Sequence, residues 1–296
     1  MSNPFTRNNK ELLDLAKENL QDLEGRELAT KVKWVYLENF SQNSTEKYPV
    51  AIVGNGKPII LIHGFDSCFL EFRRLAPLLK RKHQLIIPDL YGFGFCPRPM
   101  RDDYGFEKII SHLNSILENL TKRKGVGIIG ASMGGSLSME LARRNPQKIN
   151  KLLLISPAGL TESQTKIPWP INHIGVYFLK QKAVRKSLCR QAFANPTKSV
   201  GEKEEEIASI HLNVPGWQRS LASFAKNGGV ASSQKPIPIQ PKKVVWGKED
   251  RILKPNQKRK SMEYLGQHLN EFNNCGHLPH LDKPNLVANA WFEDFK

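Results

Sequence analysis

The sequence predicts an α/β protein with a mostly parallel, eight-stranded sheet, helices on both faces and an inserted helical cap. Three observations predict it. Continuous apolar runs of strand length alternate with stretches of helical period, the pattern of parallel strands joined by crossover helices. The alternation stops between residues 161 and 240, where helical stretches follow one another without a buried strand, and then resumes. A serine set among glycines, in "GIIGASMGG" (127–135), stands where one apolar run gives way to a helical pattern.

Taken in order, residues 10–24 place Leu12, Leu13, Ala16, Leu20 and Leu23 at helical spacing between charges, which predicts one amphipathic helix in an N-terminal segment spanning 1–30. Its polar face mixes acids and bases, so it is expected to pack on the protein rather than on a membrane or partner. Strands are expected at 33–40, 48–53 and 57–65, the last a continuous apolar run suited to burial on both faces. A helix over 67–82 leads to a strand at 84–90, and a helix over 106–122 leads to a strand at 126–131. The helix from Ser132 to about Arg144 stops before Asn145-Pro146, and a strand follows at 151–156.

Segment 161–240 reads as helices broken by "IPWPINH", "FANP" and "NVPGW", and its eleven Lys/Arg against five Asp/Glu give it a net charge of +6. A strand at 242–247, a helix near 254–265, a strand near 268–273 and a helix at 283–295 complete the chain. The expected core is therefore 31–160 with 241–296, and 161–240 is expected to cap the carboxyl ends of the strands, where open α/β sheets hold their ligands.

A chain of 296 residues with 40% hydrophobic content can bury a sizeable core. Its first twenty residues contain no signal-peptide-like apolar core, and no stretch approaches about 18 uncharged apolar residues, so a soluble, cytoplasmic protein is expected. Cys68, Cys96, Cys189 and Cys275 lie far apart without metal-like spacing and read as free thiols in a reducing compartment. The net charge is +16. No aromatic–basic pattern of a nucleic-acid module accompanies it, so nucleic acid is not an expected partner. A solvated basic face is expected, with peripheral contact to an anionic membrane as the alternative. Nothing in the sequence fixes the oligomeric state.

The GxSxG pattern is weak alone, but its place at a strand-to-helix turn is the context of a nucleophile elbow. Small residues at 130, 134 and 135 would let backbone approach backbone, and the helix start supplies free N–H groups. A serine hydroxyl needs a base, and the base needs an orienting acid. After Ser132, "VVWGKEDRILKP" places Asp250 in a loop beyond a strand, with Glu249 adjacent and expected to point elsewhere. "FNNCGHLPHLDKP" places His277 after the last strand behind Gly276, ahead of a second candidate, His280. The expected oxyanion donors are the backbone N–H groups of Met133 and Phe65. His63, at the end of a buried strand, is expected to bond backbone and fix that loop.

The set "LIHGF", "PDLYGFG", "GASMGG", "VVWGKEDR" and "CGHLPH" resembles the α/β-hydrolase family, of the branch with a helical cap after the sixth strand, over roughly 48–296. The resemblance implies the triad Ser132, Asp250 and His277, no metal and no organic cofactor. It also argues against epoxide hydrolases and dehalogenases, which carry Asp at the elbow. "HGFDSCFLEFRRLAPLL" (63–79) is similar to a group of cyanobacterial and chloroplast hydrolases that includes chlorophyll dephytylases.

The expected function is a serine hydrolase that cleaves a small-molecule carboxylic ester, with an apolar part, through an acyl-enzyme. Phe65, Phe69, Phe95, Trp169 and Trp217 are the expected pocket residues. A thioesterase, or a carbon–carbon bond hydrolase on the same triad, is the alternative. The basic cap suits a carbon–carbon substrate, although such family members usually carry Asn where this chain has Ala131. A binding protein on a hydrolase fold is the remaining reading.

Overall fold

Eight strands form one sheet in the order β1-β2-β4-β3-β5-β6-β7-β8. They are β1 (Val32–Val35), β2 (Tyr48–Val53), β3 (Lys57–Ile62), β4 (His83–Pro88), β5 (Val126–Ala131), β6 (Ile149–Ile155), β7 (Lys242–Gly247) and β8 (Leu269–Phe272). β2 runs antiparallel to β1 and β4, and the remaining pairs are parallel. The computed structural model describes residues 8–41, 45–100, 102–121, 125–163, 165–230, 236–266 and 269–295. Parts of the segments expected at 1–30, 106–122, 161–240 and 268–273 lie outside these.

The central strands are apolar on both faces because both are covered. Along β3, Ile60 and Ile62 enter one core with Ile128, Leu152 and Trp246, whereas Ile59 and Leu61 enter the other with Ile129, Leu153 and Val245. That is the period-2 alternation of a strand between two helical layers.

Two N-terminal helices, α1 (Asn9–Asn19) and α2 (Leu23–Ala29), replace the single one expected. The chain turns out of helix at Leu20, and Asp22 starts α2 by accepting the Gly25 N–H at 2.7 Å. Asp22 also receives a 2.8 Å bond from the buried Arg73, which ties the segment to the body of the protein. Leu13, Ala16 and Leu20 join the core as expected, but Leu23 points to solvent.

The helix expected over 67–82 is broken. A 3₁₀ turn covers Phe69–Phe72, and a short α3 (Ala76–Leu79) follows. Pro77 lacks an N–H and its ring would collide with the carbonyl four residues back, so a helix can begin at this proline but not run through it. β1 ends before Phe40 because the chain turns at Asn39 with φ 65° and sends Leu37 and Phe40 into the core.

The crossover helices α4 (Phe106–Leu120) and α5 (Met133–Arg144) pack on one face of the sheet. Between β6 and β7 come α6 (Ile171–Lys180), α7 (Lys182–Ala192), α8 (Pro196–Ser199), α9 (Glu202–Ser209), a 3₁₀ turn at Ile210–Asn213 and α10 (Trp217–Lys226). After β7 follow α11 (Pro255–Leu265), α12 (Pro279–Asp282) and α13 (Pro284–Phe292), which covers the opposite face of the sheet. Among the described residues, no helix is long and apolar enough to cross a membrane.

Candidate active site

Ser132 sits between β5 and α5 with φ 51° and ψ −119°, a strained backbone for any residue with a side chain. Its N–H donates to the Ile155 carbonyl at 2.8 Å, and its carbonyl accepts from the N–H groups of Gly135 and Ala158. The neighbouring glycines make the turn fit. A Cβ at Gly134 would overlap the Ile62 carbonyl of β3, and one at Gly130 would overlap the Gly134 carbonyl and Ser138 Oγ. Helix α5 can therefore start against the sheet only where side chains are missing.

Asp250 and His277 arrive from the loops beyond β7 and β8. The two loops touch: a Cβ on Gly247 would overlap the carbonyls of Cys275 and Gly276. His277 Nδ1 lies 2.8 Å from Asp250 Oδ2, and its Nε2 lies 2.9 Å from Ser132 Oγ. Asp250 also accepts the N–H groups of Ile252 (2.8 Å) and Leu253 (3.1 Å) and the Trp246 indole N–H (2.7 Å). Burial alone would raise the Asp250 carboxyl, but the bond and charge of His277, with the Leu253 and Trp246 donors, hold it below its ordinary value. The carboxylate can thus orient the imidazole and stabilise its cation, and the imidazole can take the serine proton.

Glu249 turns away, accepting the Cys275 N–H at 2.9 Å. His280 is fully buried, with Nε2 at 3.2 Å from the buried Glu71 and its ring against Phe72. It stands behind the loop after β3 rather than beside Ser132.

That loop, His63 to Asp66, passes next to the serine: a Cβ on Gly64 would lie 3.4 Å from Ser132 Cβ. Leu90 N–H donates to His63 Nε2 (3.0 Å), so the ring proton is on Nδ1 and is donated to the Gly64 carbonyl (2.8 Å). Burial depresses this histidine to about 4, which keeps it neutral and fixed to backbone. The Gly64 N–H donates to the Glu71 carboxylate at 3.2 Å. Burial pushes the Glu71 carboxyl up, but His280 and His63 beside it bring it below its ordinary value. Among the described residues, the N–H groups of Phe65 and Met133 have no protein acceptor, as donors kept for a ligand would require.

One group the sequence reading passed over is Asp66, in the left-handed region at φ 48°. Its buried carboxylate accepts from Trp217 Nε1 (2.8 Å) and His211 Nε2 (3.0 Å) and pairs with Arg185 Nη1. Burial disfavours its charge, yet these donors hold the carboxyl far below the ordinary range. The "HGFDS" stretch was the available signal, but a buried carboxylate shared among three elements between β6 and β7 leaves no local pattern.

A cavity of about 240 Å³ lies over Ser132 and His277. Phe65, Leu179, Leu188, Cys189, Ala192, Ile252 and Leu278 give it apolar walls, and Asp66, Glu71 and Arg185 border it. Of the expected pocket residues, only Phe65 is there. Phe69 and Phe95 are fully buried in the core below, because their N–H groups both bond the Asp89 carboxylate at 2.6 Å and fold their loops around it. Trp217 is buried with its indole committed to Asp66, and Trp169 is 75% exposed on the outer surface. A larger cavity of about 640 Å³, between α7 and α9, mixes lysines with glutamates and contains no member of the Ser132–His277–Asp250 chain. The four cysteines are free thiols. Among the described residues, no three His, Cys, Asp or Glu side chains are grouped to hold a metal ion.

Comparison with known proteins agrees with this architecture. A family model described as the alpha/beta hydrolase fold matches residues 57–174. The 2-hydroxy-6-oxo-2,4-heptadienoate hydrolase of Pseudomonas putida is 28% identical, covering 78% of this chain and 86% of its own. The alpha/beta hydrolase domain-containing protein VTE7 of Arabidopsis thaliana is 27% identical over 92% of this chain and 86% of its own. Lipase 3 of a Moraxella species is 27% identical over 89% of this chain and 81% of its own. The solved meta-cleavage product hydrolase of Pseudomonas fluorescens shares the fold with a TM-score of 0.70 at 21% identity, over 83% of this chain and 94% of its own. The chain has the α/β-hydrolase fold, and the relatives it resembles include hydrolases and a lipase.

Proposed function

We propose that the protein cleaves a carboxylic ester through an acyl-enzyme. The observation that carries this reading is the unbroken hydrogen-bond chain from Ser132 Oγ through His277 to Asp250, opening into an apolar cavity. His277 takes the Ser132 proton as the oxygen attacks the ester carbonyl. The N–H groups of Met133 and Phe65 hold the tetrahedral oxyanion, and Asp250 stabilises the imidazolium. His277 then protonates the leaving alcohol, and water activated by the same imidazole releases the acid. The cavity of about 240 Å³ is below the range of drug-sized sites, so it suits one arm of an ester rather than the whole molecule. The helices between β6 and β7 act as the cap that shapes it.

Carbon–carbon hydrolysis on the same residues is the second reading. It draws on the Pseudomonas relative and on Arg185, which borders the cavity and whose buried Nε–H has no acceptor among the described residues.

The test is hydrolysis of p-nitrophenyl esters from acetate to palmitate by wild type and Ser132→Ala. The ester reading requires Ser132-dependent release that peaks at one chain length. Equal release by both proteins would overturn the triad. Silence toward every ester, with turnover of a ring-cleavage dienoate, would support the second reading instead.

A further inference from the structure

Helix α6 buries one side and exposes an apolar one. Asn172, Val176 and Leu179, spaced i, i+4 and i+7, form its inner side: the first two are buried, and Leu179 lines the cavity over Ser132. The outer side carries Ile171 (60% exposed), Ile174 (51%), Tyr177 (58%) and Phe178 (57%), with Trp169 (75%) just ahead of the helix. Exposed apolar residues scattered singly need no explanation, but five on one ridge mark an interaction surface. Lys166, Lys180 and Lys182 stand exposed at its two ends, and no carboxylate pairs with them among the described residues. The whole chain carries a net charge of +16.

We propose that this ridge docks the protein on the surface of an anionic phospholipid bilayer. The aliphatic side chains and Phe178 enter the boundary between headgroups and acyl chains. Trp169 and Tyr177 sit at headgroup level, where an apolar ring with a polar tip is best solvated. The lysines at the ridge ends meet lipid phosphates. A second copy of the chain fits less well, since pairing α6 on α6 about a twofold axis would bring these unpaired lysines together. Docked this way, α6 lies flat on the bilayer with the cavity directly beneath it, about one helix diameter (roughly 10 Å) away. An apolar substrate would then reach Ser132 without crossing bulk water; that last step rests on the ester reading, whereas the docking does not.

The experiment is sedimentation of the full chain with vesicles of phosphatidylcholine alone or mixed equally with phosphatidylglycerol, at low and high salt. Wild type should sediment with the mixed vesicles at low salt and release as salt screens the lysines. Ile174→Asp/Phe178→Asp should weaken this by at least about tenfold. Replacing Lys166, Lys180 and Lys182 by Gln should cost about fivefold per lysine, and these surface changes provide a second probe if the aspartates disturb folding. Ser132→Ala should bind vesicles like wild type, so a failed esterase assay leaves the docking result standing. Wild type remaining in the supernatant at low salt, equal binding to phosphatidylcholine alone, or full binding by the aspartate variant would each overturn the proposal. So would a wild-type dimer, without vesicle binding, that the aspartate variant converts to a monomer.

Discussion

Asp66 and Trp217 lie 151 residues apart, and the carboxylate of the first accepts the indole N–H of the second at 2.8 Å. The bond runs from the loop after β3 to the start of α10. With Arg185 on α7 and His211 on the 3₁₀ turn, it makes one buried carboxylate the meeting point of three elements that lie between β6 and β7. Asp66 directly follows Phe65, whose N–H is a proposed oxyanion donor. The position of that donor therefore depends on helices far away in the chain.

This carboxylate is expected to be costly to neutralise. Asp66→Asn keeps the shape of the side chain but leaves Arg185 without a counter-charge in a buried site, where losing one partner of an ion pair costs about 3–5 kcal/mol. Urea denaturation should show a loss of that size at neutral pH, and Asp66→Asn/Arg185→Met should recover part of it. A loss under about 1 kcal/mol would mean that solvent reaches the network and already screens it.

The two adjacent acids of the β7 loop are expected to differ sharply. Asp250→Asn presents an amide N–H₂ toward a histidine nitrogen that needs an acceptor, so it favours the wrong imidazole tautomer. Loss of this kind of partner lowers kcat by about 10³–10⁴-fold. Glu249 spends its carboxylate on the Cys275 N–H at the surface, so Glu249→Gln should leave kcat within about threefold of wild type, the effect of perturbing one exposed hydrogen bond. Measuring both variants on the best p-nitrophenyl ester decides the matter. A reversed order would identify Glu249 as the orienting acid.

The turn at Ser132 and the succession of buried strands and helices along the chain were legible because they depend on local rules. Gly134 must be small where α5 meets β3, and a buried strand must be apolar throughout. The break before Pro77 was missed, because the apolar period through 67–82 masked it. The cavity walls were not legible. Phe69 and Phe95 are as apolar as Leu179 and Leu188, and apolarity does not say which buried surface a side chain joins. What divides them is Asp89, whose carboxylate binds the N–H groups of Phe69 and Phe95 and draws both into the core. Asp66 was hidden for a related reason: its partners come from residues 185, 211 and 217, and no spacing rule joins them to the strand end.

The buried histidines make stability dependent on pH, with a definite sign. His63 has an ordinary value of 6.5 and is depressed to about 4, first by burial, while Glu71 and the Gly64 carbonyl pull the other way. In a window from about 6.5 down to 4 the unfolded chain binds a proton that the folded one refuses. Stability is therefore full above pH 6.5 and falls on acidification, by about 1.4 kcal/mol per pH unit from this residue. His112, depressed to about 3 by burial, and His211, also held below its ordinary value by burial, act with the same sign. Asp66 and Asp250 are depressed carboxyls, so their contribution is lost only below about 4. Urea denaturation of wild type and His63→Asn from pH 7.5 to 4 tests the assignment. The variant should be less stable at pH 7.5, because Leu90 loses its acceptor, yet its stability should fall less steeply below 6.5. Parallel curves for the two proteins would show that His63 takes up its proton in the folded state as readily as in the unfolded one, and the neutral strut proposed for the loop after β3 would have to be abandoned.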